Sequence, residues 1–258
     1  MKGNGGFSLI ELSIVLVIVG FLITGGMTAM NMVNQLRLKS VITDFNKFQM
    51  AYNNFVGRYN EVPGDMPNAH EYFKECAEYG KGCSGGGNGT IDDTKNDSGI
   101  FEYNLAWKHL EFAGLLEKSV NMHLVQGPST KVSINAPASR VRGAGYLLIN
   151  GKPDSFNLQN NTDIKTSFSK AKDNVILLGR NGSSHSLSNG ALTPREAFII
   201  IQKMDDGHID EGKYIGGGSG RVRAYTGQDH APGSCVDDQG VFNINSKERS
   251  CVLVMKLN

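Results

Sequence analysis

Apolar and polar residues are arranged along this chain in three distinct ways. From Leu12 to Met30 there are 19 residues without a charge, enough to cross a bilayer as a helix. Past Met30 the apolar character narrows to one side. Leu38, Val41, Phe45, Phe48, Tyr52, Phe55 and Tyr59 recur at alternating steps of three and four, a single helix face, with Arg37, Lys39, Asp44, Asn46, Lys47 and Asn54 off it. The same spacing suits a coiled coil, but directly after an apolar span it describes more simply a helix whose stripe is covered by its own domain. That helix should end near Glu61, because Val62 precedes Pro63 and Pro63-Gly64-Asp65 is a turn sequence.

The rest of the chain is patterned in short runs. Glu102 to Glu117 has helical spacing through Leu105, Trp107, Leu110 and Leu116, which makes Trp107 a core residue rather than a stacking platform. Val132–Ile134, Gly145–Ile149, Asn174–Leu178 and Val252–Met255 read as strands separated by turn residues. Ala197–Ile201 fits either a strand or a helix starting after Pro194. The expected fold class is α+β: a long amino-terminal helix, transmembrane then amphipathic, on an antiparallel sheet of about four strands with Gly-rich loops.

Composition refines this outline. The chain has 258 residues, and its net charge of +1 provides no overall basic surface to hold nucleic acid or an anionic membrane. Among its 32 glycines, Ser84–Gly99 reads as a loop and Gly216–Gly220 as a hairpin connection; the latter lacks the Lys-Ser/Thr ending of a phosphate-binding loop. Arg221 and Arg223 beside it could touch DNA, but two arginines without interleaved aromatic residues are a weak basis for a single-strand nucleic-acid site. The four cysteines contain no Cys-x-x-Cys zinc pair. They allow three pairings, of which the two short loops, Cys76 with Cys83 and Cys235 with Cys251, are expected, and these require an oxidising compartment.

Catalytic patterns are incomplete. Gly82-Cys83-Ser84-Gly85-Gly86 matches Gly-x-Ser-x-Gly without the strand and helix of a nucleophile elbow, and the six histidines are scattered. The chain is therefore expected not to be an enzyme. Asp205, Asp206 and Asp210 around Gly207 are the candidate calcium ligands, outside EF-hand spacing and in a turn sequence that also forms without metal; no other cofactor is expected.

The amino terminus carries the functional information. A secretory signal has its small-residue cleavage site after the apolar run, whereas Gly5-Gly6 comes before it, so cleavage there would leave the apolar helix on the mature chain. Glu11 is one carboxylate at the start of that helix, at a cost of ~3 kcal/mol in a membrane unless partnered. The α-amino group of Phe7, created by cleavage after Gly6, would lie about one helical turn away, in the same chain or a neighbour.

Gly6-Phe7-Ser8-Leu9-Ile10-Glu11 resembles the cleavage and methylation motif of type IV pilins and type II secretion pseudopilins. The resemblance implies cleavage between Gly6 and Phe7 by a prepilin peptidase, N-methylation of Phe7, and use of Glu11 in assembly. It divides the chain into a leader (1–6), a membrane and filament-core helix (7–33) and a periplasmic pilin-like domain (34–258) that includes the helix continuation to about residue 60. Localisation would be single-pass in the inner membrane and then in the pilus or pseudopilus. Partners would be the peptidase, other pilin or pseudopilin subunits and the inner-membrane assembly platform. Glu11 sets the chain apart from tip pseudopilins, which characteristically lack that carboxylate. No helix-bending proline occurs between Phe7 and Tyr59, a departure from many pilins; Gly20, Gly25 and Gly26 stand in the apolar run instead. Tyr59–Asp65, Trp107-Lys108-His109-Leu110 and Lys203–Gly207 also resemble stretches of larger prepilin-type proteins. Because cleavage would leave 252 of the 258 residues, large for a principal pilin, the role leans to a minor or specialised subunit. The alternative is a minor pilin acting as a DNA-uptake or surface-adhesion module.

Overall fold

The computed structural model describes residues 8–93, 95–96, 98–116, 130–151, 173–182, 187–205, 207–210, 212–216 and 220–257; within these, the side chains of 25, 27, 28, 31, 77–81 and 210 are not described. The first element, α1, spans Leu9–Tyr59, or roughly 75 Å at ~1.5 Å per residue. It ends where the sequence says it must: Asn60 adopts the left-handed conformation (φ 54°) and its N–H caps Val56 O, ahead of Pro63.

Next come a single-turn helix α2 (Ala69–Tyr72) and a 3₁₀ stretch, Lys74–Cys83. Helix α3 (Glu102–Phe112) is shorter than the run of helical spacing. Gly114 (φ 69°) closes it with a Schellman motif, in which Leu115 N–H bonds Leu110 O and Gly114 N–H bonds Glu111 O. Leu116 is still buried, so the apolar spacing outlasts the helix, and Glu117 lies outside the described residues.

Strands β1 (Ala144–Asn150) and β2 (Asn174–Arg180) pair antiparallel in register Ala144↔Arg180 to Asn150↔Asn174. The run Ala197–Ile201 is helical, within α4 (Pro194–Met204). Thr193 and Glu196 form a capping box around Pro194, and these cap residues, not the apolar run, decide the matter. Then follow the hairpin β3 (His208–Asp210) with β4 (Lys213–Ile215), β5 (Val222–Thr226) and β6 (Cys251–Lys256).

The main sheet has the order β1-β2-β6-β5, all neighbours antiparallel, so the last strand in sequence is an interior one. Helix α1 packs with this four-stranded sheet in an α+β arrangement, α3 beside β1 and α4 against β5 and β6. Two sequence expectations are corrected. Val132–Ile134 is a turn, with Ser133 at φ 69° and both Ile134 and Asn135 N–H groups on Lys131 O; its β-branched residues were outweighed by the Ser/Asn turn chemistry around them. Gly216–Gly220 does not join a hairpin, because β4 pairs with β3 whereas β5 pairs with β6. The Arg-x-Arg alternation beside it belongs to β5, in which Val222 and Ala224 point inward.

The predicted stripe of α1 enters the core: Leu38, Val41, Phe45, Phe48, Tyr52 and Phe55 are buried. Phe48 meets Trp107 at 4.9 Å and Tyr146 at 5.0 Å edge-on, and Phe45 meets Tyr146 at 5.6 Å. Such pairs are worth ~1 kcal/mol each beyond their buried area. Tyr146 donates to Asp44 Oδ2 at 2.9 Å; burial first, then the Asp44 charge, raises its pKa and keeps the phenol protonated. The structure bridges Cys76 to Cys83 and Cys235 to Cys251, with Cα–Cα separations of 5.5 and 5.0 Å.

Candidate assembly site on the amino-terminal helix

Among the described residues, none covers the apolar part of α1. Leu9 (88%), Phe21 (74%) and Val33 (56%) are representative of side chains exposed from Leu9 to Leu36, which on a monomer in water would be an anomalous apolar surface. Its polar groups turn inward on the helix: Ser13 Oγ donates to Ile10 O at 2.8 Å and Thr24 Oγ1 to Gly20 O at 3.0 Å. Hydroxyls satisfied in this way suit an apolar environment.

At its start, Ser8 is the N-cap and Glu11 is the third helical residue. Ile10 N–H reaches Ser8 Oγ (3.4 Å) and Ser8 N–H reaches Glu11 Oε2 (2.9 Å), a reciprocal capping box. The Glu11 carboxylate also stands at the positive end of the helix dipole. Ser8 N–H survives cleavage after Gly6, so this bond is compatible with a mature chain, and the second oxygen remains able to meet an ammonium. Gly6 and Phe7 themselves lie outside the described residues. Among the described residues, no helix is long and apolar enough to cross a membrane.

The family model of the prokaryotic N-terminal methylation motif matches residues 1–27. Those residues carry the leader signature of type IV pilins and pseudopilins. No curated protein and no solved structure matches the chain. The motif supports a pilin-like or pseudopilin-like subunit.

A second cluster was not anticipated as a unit. Asp65, wholly buried in the turn after α1, accepts three backbone N–H groups of the Gly-rich loop: Gly87 (2.6 Å) and Asn88 (3.1 Å) on Oδ1, Gly89 (2.6 Å) on Oδ2. Glu102 accepts Gly86 N–H and Asp92 N–H, both at 2.8 Å. Asp92 in turn accepts from Asn88 and Asn150 side chains at 2.7 Å. Burial raises the pKa of Asp65 and takes Glu102 up to about 7, with like charges nearby adding to both. His109, one α3 face along from Glu102, receives Gly64 N–H on Nδ1 (2.9 Å); its proton is therefore on Nε2, 2.8 Å from Cys83 O. Burial lowers its pKa to about 4. Gly64 (φ 93°) is required here, since a Cβ would strike Glu102 O and Ala106. The resemblance marked Tyr59–Asp65 and Trp107–Leu110 separately; the structure shows them to be two sides of one contact.

The remaining sequence candidates are placed as follows. Asp205 Oδ2 accepts Val222 N–H at 2.6 Å, while Asp206 and the Asp210 side chain are outside the described residues. Among the described residues, no group of three His, Cys, Asp or Glu residues could hold a metal ion. Ser84 Oγ lies 3.0 Å from His70 Nδ1, but Ser84 follows a 3₁₀ stretch, not the strand of a nucleophile elbow, and among the described residues no acid is bonded to His70.

Proposed function

We propose that the chain is a non-enzymatic structural subunit, minor or specialised, of a type IV pilus or type II secretion pseudopilus. Prepilin peptidase cuts between Gly6 and Phe7, Phe7 is N-methylated, residues 7–33 hold the chain in the inner membrane, and the 34–258 domain faces the periplasm. Assembly platform and neighbouring subunits then draw the apolar helix into the filament core, a heterologous contact that repeats along an axis instead of closing.

One observation carries this reading: the methylation motif at 1–27 overlaps the start of a helix whose apolar side chains are exposed among the described residues. Glu11 supplies the longitudinal register by pairing its free oxygen with the Phe7 ammonium of the same or the next subunit, as one buried polar group sets register in coiled coils. The reading needs no cofactor. Structural calcium at the Asp205 turn would have to use the second Asp205 oxygen together with Asp206 and Asp210.

The test is intact mass and amino-terminal sequence of the membrane-extracted protein from cells with and without prepilin peptidase. The expected result is N-methylated Phe7 at the start only when the peptidase is present. A start at Met1 in both strains would refute processing.

A further inference from the structure

The apolar face of α1 gives way at one level to positive charge. After Val33 and Leu36, Arg37 and Lys39 are the first cations, roughly 40 Å along the helix from Leu9 at ~1.5 Å per residue. A hydrocarbon core of ~30 Å is by then exhausted, so these two residues fall at headgroup depth.

Two further cations, remote in sequence, stand on a turn that is fastened to α1 near Asp44. The turn 139–143 leads into β1 and is braced in three ways: Ser139 N–H bonds Ala144 O (2.9 Å), Ala144 N–H bonds Val141 O (3.0 Å), and Val141 N–H bonds Ser139 Oγ (3.2 Å). It is fastened to α1 through Ser139 Oγ and Tyr146 Oη, 3.2 Å apart, and the Tyr146 bond to Asp44. Val141 is buried, while Arg140 and Arg142 on either side are exposed. Asp44 is seven residues, or about 10 Å, beyond Arg37, a gap that extended arginine side chains largely span.

None of Arg37, Lys39, Arg140 and Arg142 has a side-chain partner among the described residues, whereas Arg58 bonds Ala113 O, Arg180 pairs with Asp229, and Arg221 reaches Gln49. The nearest acid along α1, Asp44, already accepts from Tyr146 and, at 3.5 Å, from Ser40 Oγ. In a chain of net charge +1, four cations without a partner among the described residues, two on α1 and two on a turn fastened to it at Asp44, are a local excess.

We propose that Arg37, Lys39, Arg140 and Arg142 form a basic collar that binds anionic phospholipid headgroups of the leaflet where α1 leaves the membrane. Guanidinium groups grip phosphate through two parallel hydrogen bonds, and each cation near an anionic surface strengthens binding about fivefold. The collar fixes the depth and tilt of the waiting subunit, and its bonds to lipid must be released as the helix moves into the filament. This rests on the membrane-span reading above.

The experiment places the full chain in phosphatidylcholine nanodiscs with or without about one third phosphatidylglycerol and follows amide hydrogen exchange of residues 140–144. Exchange should be about fivefold slower or more in the anionic bilayer, and this difference should vanish in about 0.5 M salt. It should also vanish in the R140Q/R142Q variant, whose unchanged melting temperature would show that the exposed substitutions leave the fold intact. Equal exchange in both bilayers, with the chain inserted in each, overturns the collar and leaves the span standing. A chain that enters neither bilayer overturns the span and the collar with it.

Discussion

Two buried groups on one face of α3 make opposite demands on pH, and the Glu102→Gln variant separates them. The Glu102 carboxyl, ordinarily near 4.5, is held up to about 7, so the folded state keeps a proton that the unfolded chain releases. Its contribution is greatest below 4.5 and is lost as pH rises through about 7. At ~1.4 kcal/mol per pH unit this is ~3 kcal/mol, trimmed to ~2 because the exposed rim of the Gly86–Asn88 loop admits screening solvent. His109 runs the other way. Lowered from 6.5 to about 4, it is buried neutral, and its contribution is present above 6.5 and lost as pH falls towards about 4. That term is ~3 kcal/mol.

Between pH 4.5 and 6.5 the two slopes nearly cancel, so these groups leave the stability of the unsubstituted domain level to within ~1 kcal/mol. Glu102→Gln removes the falling limb. The variant should gain ~2–3 kcal/mol between pH 4 and 6.5, tempered by a residual slope from Asp65, whose raised pKa acts in the sense of Glu102. Urea unfolding of a 34–258 fragment, followed through the single, fully buried Trp107 at half-unit pH steps, gives both curves. Superimposable pH profiles for variant and parent would refute the assignment of these opposed terms.

Three other perturbations bear on separate parts of the molecule. Replacing Cys235 and Cys251 by Ser opens a 16-residue separation at the head of interior strand β6 and should lower stability by ~3 kcal/mol; the Cys76/Cys83 double variant, with a separation of 7, should lose less, and urea midpoints rank them. Gly57→Ala, on an exposed face of α1 with open space around the new Cβ, should raise stability by ~0.5–1 kcal/mol, whereas Gly85→Ala, whose Cβ would strike Gly64 O and the Asp65 backbone, should cost ~2 kcal/mol or more, both read as melting shifts. Glu11→Gln keeps an oxygen for the Ser8 cap but loses the charge, so cleavage should persist while filament incorporation, measured in sheared filament fractions, falls about tenfold or more.

Legibility in the sequence followed the length over which a pattern repeats. The α1 stripe runs through seven positions, and no single local conflict could divert it; its end was fixed by Asn60 and Pro63. Short runs were decided by cap and turn residues in or beside them. Thr193 and Glu196 made Ala197–Ile201 helical, Gly114 cut α3 short, and Ser133 turned the Val132–Ile134 run away from the sheet. β5 was obscured because its inward positions, Val222, Ala224 and Thr226, are interleaved with arginine and tyrosine, and its partner strand follows only after residues 227–250. At the candidate site, Glu11 stood out as a charge where none belongs. The Asp65, Glu102 and His109 contacts could not be read that way, since each side chain is satisfied by backbone groups remote in sequence.

The uninterrupted course of α1 has a mechanical consequence. Residues 9–33 and the row from Leu38 to Phe55 belong to one continuous helix without proline, so a pull on the exposed segment is passed to the domain along the helix axis. The load arrives as shear across Phe45, Phe48, Tyr52 and Phe55, all of which must slip together for the helix to leave its bed. In a filament under tension such a subunit would behave as a stiff strut, and extension would have to come from sliding between neighbouring helices before any domain gave way.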